Sequence, residues 1–221
     1  MTLPTVQHET AAKPLYSVIW LHGLGADGHD FAPIVPELVA TDWPALRFVF
    51  PPAPVRPVTV NGGMPMRAWY DIAGVDLVSR QDEPGIRGSI EAVEALIAQE
   101  HERGVPSERI LLAGFSQGGA IALAAGLRHA QPLAGVIALS TYLPLHELFA
   151  AERSSANAKT PIFWGHGTGD PIVPLTRGLA SRELLQSLGY DVAWHTYPMP
   201  HSVNAEEITD LRHWMSQRFR G

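Results

Sequence analysis

The segment ILLAGFSQGGAIALAAG, residues 110–126, constrains this chain more than any other part of it. Six residues of buried-strand character lead into Gly114-Phe115-Ser116-Gln117-Gly118, and a run of small apolar residues leads out. Strand, G-x-S-x-G, helix is the order of a sharp corner that holds a serine in a strained conformation, its hydroxyl exposed at the edge of a sheet. The glycines flank the serine because a Cβ would clash in so tight a turn. Gly119 and Ala120 let the outgoing helix lie close to the strand, and its almost uniformly apolar surface places it in the interior.

The same strand pattern recurs at about 15–21, 47–50, 133–139, 161–164 and 191–197, in near-continuous apolar runs typical of strands covered on both faces. Helical periods separate them. Residues 85–103 place Ile86, Ile90, Val93, Leu96 and Ile97 on one face, and further helices are expected at 117–129 and 175–188. A last helix opens near Asn204, with Glu207 as capping-box partner and Ile208, Leu211 and Met215 turned inward. This alternation predicts an α/β fold, a mostly parallel, doubly wound sheet with helices on both faces.

No repeat or composition shift divides the 221 residues, so a single domain over 1–221 is expected, with its core at about 15–217. The irregular stretch is 51–84, rich in proline and carrying Gly62, Gly63, Met64, Met66 and Trp69. A loop of that length inside a compact domain points to function. It is too short for a separate cap domain.

The chain has no cysteine, which excludes disulfides, thiolate metal sites and a cysteine nucleophile. A net charge of −6 argues against a nucleic-acid partner. The first fifteen residues lack the basic and apolar regions of a signal peptide. No apolar run approaches the roughly 20 residues that span a bilayer. A cytoplasmic protein without stable membrane insertion is expected.

A serine hydroxyl needs a base to take its proton. On a sheet of this kind the partners follow in the order Ser, acid, His, beyond the carboxyl ends of the strands. Of the three downstream aspartates, Asp191 opens a strand and Asp210 lies within the last helix, which leaves Asp170, directly after PIFWGHGTG. Glu152, Glu183, Glu206 and Glu207 fit the exposed faces of helices. His201, between the last strand and the last helix, is the expected base. His195 sits inside that strand, His166 precedes the acid as a candidate supporting residue, and His101, His129 and His213 fall on helices. In this arrangement His201 deprotonates Ser116 and later protonates the leaving group, while Asp170 orients and stabilises the imidazolium.

Acyl transfer through serine also needs N–H donors aimed at the oxyanion. The residue after the nucleophile, Gln117, supplies one, and the loop LHGLG after the first strand can supply the other through Leu24. Gly23, Gly25 and Gly28 also fit the dinucleotide pattern G-x-G-x-x-G. The expected acidic residue at the end of the following strand is replaced by Pro51-Pro52, and Pro33 and Pro36 interrupt the segment that would be the phosphate-facing helix. The loop fits an oxyanion role better. None of the ten histidines forms H-E-x-x-H, so no metal and no cofactor is expected.

The strings LHGLGADGHDF, GMPMRAWYDI, SRQDEPGI, GFSQGGAIAL, STYLP, GDPIVP and PHSV together resemble the bacterial carboxylesterase/acyl-protein thioesterase (phospholipase/carboxylesterase) family of α/β-hydrolases, in order along about 15–217. The resemblance implies an α/β-hydrolase fold, a triad of Ser116, Asp170 and His201, and oxyanion donors on Leu24 and Gln117. It also implies an acyl groove near Leu24, Met66, Trp69, Tyr142 and Ile172, and often a homodimer. The implied activity is hydrolysis of short- to medium-chain acyl esters, lipid or protein-borne, and of acyl thioesters. Two alternatives stay open: a lysophospholipase on the same triad, and a non-catalytic binding protein that keeps the fold.

Overall fold

Segments such as YSVIWL and ILLAGF offer little polar surface to water, and each becomes a strand buried along nearly its whole length. The computed structural model describes residues 5–74, 76–77 and 79–219. Its strands are β1 (Val6–Glu9), β2 (Tyr16–Leu21), β3 (Leu46–Phe50), β4 (Val55–Val58), β5 (Met64–Arg67), β6 (Ile110–Phe115), β7 (Gly135–Leu139), β8 (Ile162–Gly167) and β9 (Val192–Tyr197). Its helices are α1 (Val35–Leu38), α2 (Glu83–Glu102), α3 (Gln117–Gly126), α4 (His146–Glu152), α5 (Leu175–Ser187) and α6 (Ala205–Ser216).

Seven strands form one sheet in the order β1-β3-β2-β6-β7-β8-β9. Every neighbouring pair is parallel except β1, which runs antiparallel along the edge of β3. Alternate side chains feed two cores. Leu111, Ala113, Ile137 and Phe163 share one layer with Val35 and Leu38 of α1 and Leu211 and Met215 of α6. Leu112, Val136, Ala138 and Trp164 share the other with Ile86, Val93 and Ile97 of α2, Ile121 and Leu123 of α3, and Leu185 of α5. This is the mostly parallel, doubly wound α/β architecture, covered on both faces. The register pairs Leu21 with Gly114 and Phe115 with Leu139, so β2, β6 and β7 end together at one edge.

The stretch 51–84 contributes a hairpin, β4 against β5, rather than a cap. Gly62 and Gly63 turn it with φ of 68° and 77°, values that favour glycine. Among the described residues no helix is long and apolar enough to cross a membrane.

The structure corrects two expectations about Glu207. The N-cap bond forms, since Asn204 Oδ1 accepts from Glu207 N–H at 2.9 Å. The carboxyl does not complete a capping box and does not face water. It is buried against Gly165 of β8, where any Cβ would collide with it, and neither oxygen has a hydrogen-bond partner among the described residues. Helix α3 also ends at Gly126, short of the expected 129.

Candidate active site

Ser116 takes φ 55° and ψ −122° at the junction of β6 and α3, a conformation that costs a residue with a Cβ on the order of 1–3 kcal/mol. Its surroundings hold it there. The Ser116 N–H donates to Leu139 O at 2.9 Å, and its carbonyl accepts from Thr141 Oγ1 at 2.7 Å and from Ala120 N–H at 3.1 Å. Two residues on, a Cβ at Gly118 would collide with the carbonyl oxygens of Leu21 and His22. Glycine there lets α3 begin directly against the end of β2.

Three side chains expected from the sequence to act together lie within hydrogen-bond distance. Ser116 Oγ is 2.9 Å from His201 Nε2, and His201 Nδ1 is 2.6 Å from Asp170 Oδ2. The Asp170 side chain is wholly buried, and its other oxygen accepts the N–H groups of Ile172 at 2.8 Å and Val173 at 2.9 Å. Those donors fix the rotation of the carboxylate. The ring of Phe115 packs on His201 at 4.7 Å between centroids. Among the alternatives weighed from the sequence, Asp210 accepts from Tyr197 OH at 3.0 Å, and His195 stacks on Phe163.

The loop after β2 runs past the serine, since a Cβ at Gly23 would stand 3.5 Å from Ser116 Cβ. Gly25 N–H donates to Arg67 O at 2.9 Å, which ties this loop to β5. Among the described residues the Leu24 N–H donates to no other group. As the first residue of α3, Gln117 likewise carries an N–H that the helix leaves free. Next to the loop His22 is fixed as the Nδ1–H tautomer: Nδ1 donates to Gly23 O at 2.7 Å, and Nε2 accepts from Ala53 N–H at 2.9 Å. Burial holds this imidazole below its ordinary pKa.

The Gln117 side chain has a second set of contacts that no sequence pattern marks. Its side-chain oxygen accepts from Trp69 N–H at 2.8 Å, and its side-chain NH₂ donates to Tyr70 O at 2.7 Å. The 51–84 excursion is thereby stapled to the residue beside the nucleophile. Within the excursion, Asp71 accepts from Thr59 N–H and Oγ1, and Asp82 accepts from Asp71 N–H and caps α2 through Gly85 N–H.

The five residues placed at an acyl groove by resemblance divide into two sets. Leu24 and Met66 are half-buried and Ile172 is exposed, so all three present surface near Ser116, Gly25 or Asp170. Trp69 and Tyr142 do not, being 2% and 3% exposed. Trp69 donates through Nε1 to His22 O at 2.9 Å and packs on the His22 ring. Tyr142 OH pairs with Tyr70 OH at 2.8 Å, and burial pushes its pKa up to about 12. The polar atoms of both rings are engaged inside the protein. Among the described residues no group of three or more His, Asp or Glu side chains could hold a metal ion.

Residues 4–218 match the model of the phospholipase/carboxylesterase family. An acyl-protein thioesterase 1 of Gibberella zeae is 41% identical over 227 residues, covering 99% of this chain and 94% of that protein. The structure is similar to Arabidopsis thaliana SOBER1, with a TM-score of 0.88 and 32% identity over 93% of this chain and 99% of that one. It is also similar to Zea mays acyl-protein thioesterase 2, with a TM-score of 0.85 and 26% identity over 99% and 100% of the two chains. The chain belongs to the phospholipase/carboxylesterase family of α/β-hydrolases and is a serine hydrolase.

Proposed function

We propose that this chain hydrolyses carboxylic esters and thioesters of short- to medium-chain acyl groups, on lipid or protein carriers, through an acyl intermediate on Ser116. The observation that carries the reading is the unbroken chain of contacts Ser116–His201–Asp170, 2.9 and 2.6 Å long. His201 takes the hydroxyl proton as Ser116 Oγ bonds to the acyl carbon, and the Asp170 carboxylate stabilises the imidazolium. The N–H groups of Leu24 and Gln117 receive the oxyanion, a contribution worth on the order of 10²–10³ in rate per donor. His201 then protonates the departing alcohol or thiol. Water, deprotonated by the same imidazole, releases the acid and regenerates Ser116. Leu24, Met66 and Ile172 contact the acyl chain.

The names of the relatives favour thioesters borne on proteins, and the chemistry accommodates them. A thiol with a pKa of about 8.5 leaves more readily than an alkoxide and leans less on proton donation by His201. Cytoplasmic residence and a homodimeric assembly are further parts of the proposal, tested by cell fractionation and sedimentation velocity.

The experiment compares wild type and Ser116→Ala on matched oxygen-ester, thioester and lysophospholipid panels of increasing acyl length. Turnover of esters and thioesters that vanishes in the variant is expected. Turnover confined to lysophospholipids supports the lipid hydrolase instead, and no turnover on any panel by folded protein supports a binding module.

A further inference from the structure

Asp170 is held by backbone N–H groups of a turn that is itself tied to an imidazole the reaction does not use. His166, at the end of β8, is completely buried and its Nε2 donates to Val173 O at 2.9 Å. Val173 is also the residue whose N–H donates to Asp170 Oδ1. The 170–173 turn is therefore closed through both polar groups of a single residue, with the carboxylate on its N–H and the imidazole on its carbonyl. The same Nε2 lies 3.7 Å from Asp170 Oδ2, the oxygen that receives His201.

The far side of the ring has no polar contact among the described residues. Nδ1 has no hydrogen-bond partner among the described residues, and α5 presses so close that a Cβ at Gly178 would stand 2.7 Å from it. The ring lies near-parallel to Trp194, 6.1 Å away. Because Nε2 faces a carbonyl, it must carry the hydrogen, and Nδ1 keeps a bare lone pair against Gly178 of α5. Protonation there would create a buried N–H without an acceptor, a costly state. Burial accordingly lowers the His166 pKa, outweighing the opposing pull of the Val173 carbonyl and the Asp170 charge.

We infer that His166 is a positioning residue for the acid–base pair: donating through Nε2–H to Val173 O, it clamps the 170–173 turn so that the Asp170 carboxylate stays turned toward His201. This rests on the proposed roles of Asp170 and His201. An imidazolium in the same place would compete with His201 for Oδ2. A residue without a donor would release Val173, and with it one of the two N–H groups that set the carboxylate's rotation. Misplacing a catalytic group by about 1 Å costs on the order of 10²-fold in rate.

The test compares H166Q, whose amide can reach Val173 O as the ring nitrogen does, with H166N and H166L, which cannot. Steady-state kinetics, melting temperature and the downfield proton NMR resonance of the His201 Nδ1–H are measured for each. H166Q is expected to keep kcat within a few-fold of wild type and to retain the downfield resonance. H166N and H166L are expected to lose kcat on the order of 10²-fold with KM little changed, and to lose that resonance or shift it upfield. Wild-type kcat in H166N or H166L overturns the inference, as does an H166Q variant that falls as far as they do. If H166L does not fold, the H166N and H166Q pair decides by the same criteria. Ser116→Ala assayed alongside separates the two claims: full activity in that variant refutes the nucleophile, while the resonance still reports whether residue 166 governs the Asp170–His201 contact.

Discussion

Gln117 takes the backbone N–H of Trp69 on its side-chain oxygen at 2.8 Å while its own N–H sits one residue from Ser116. One residue thus joins the proposed oxyanion site to the 51–84 excursion, and both ends of its amide are used inside the protein. Gln117→Ala leaves the Trp69 N–H and the Tyr70 carbonyl buried without partners, each at a cost of about 1–3 kcal/mol. A clear fall in melting temperature is expected, with a loss of kcat larger than any change in KM. Gln117→Glu keeps the acceptor for Trp69 but turns an oxygen toward the Tyr70 carbonyl, so it should rescue neither quantity. Calorimetry and steady-state kinetics on both variants check this, and an unchanged melting temperature in Gln117→Ala contradicts it.

The buried Glu207 makes stability depend on pH in a defined direction. Burial, helped by the nearby Asp210 charge, raises its pKa from 4.5 to about 8. The unfolded chain releases this proton above 4.5 while the folded protein holds it until about 8. Folding therefore becomes less favourable as pH rises through that window, because the native state binds the extra proton. Glu207→Gln removes this dependence. Its melting temperature should gain on wild type steadily between pH 5 and 8. Parallel curves for the two proteins would show that the carboxyl is not held neutral.

Tyr142 separates a support role from a substrate-contact role. With Tyr142 buried and its hydroxyl paired to Tyr70, Tyr142→Phe orphans one buried hydroxyl and should cost about 1–3 kcal/mol. The order of preference along an acyl-length series should match wild type. A shifted chain-length optimum without loss of stability would place this ring against the substrate.

The alternation of apolar runs made the sheet and most helices legible, because strands buried on both faces and amphipathic helices differ in period. The sharp corner at Ser116 was legible because G-x-S-x-G stood between a strand and a helix of small residues. β1, with the sequence VQHE and a mostly exposed edge position, has no apolar alternation to read. The hairpin of β4 and β5 hides behind prolines that usually mark irregular chain. Side-chain roles set by tertiary partners were harder to see. Glu207 looks like a helix-surface residue until Gly165 is seen opposite it, although a glycine inside the strand IFWGHG signals a close approach. The burial of Trp69 and Tyr142, which the resemblance places at the acyl groove, depends on hydrogen bonds to His22 and Tyr70 that no local pattern announces. His166 differs from other strand histidines only through Val173 and Gly178, which the fold brings to it.

The central claim is that Ser116 is a nucleophile activated by His201. Peptide mapping by mass spectrometry after treatment with an alkyl fluorophosphonate tests it most directly. One adduct per chain on Ser116 is expected, absent in Ser116→Ala and forming orders of magnitude more slowly in folded His201→Ala. An adduct on another residue, or an unmodified Ser116 in folded wild-type protein, would contradict it.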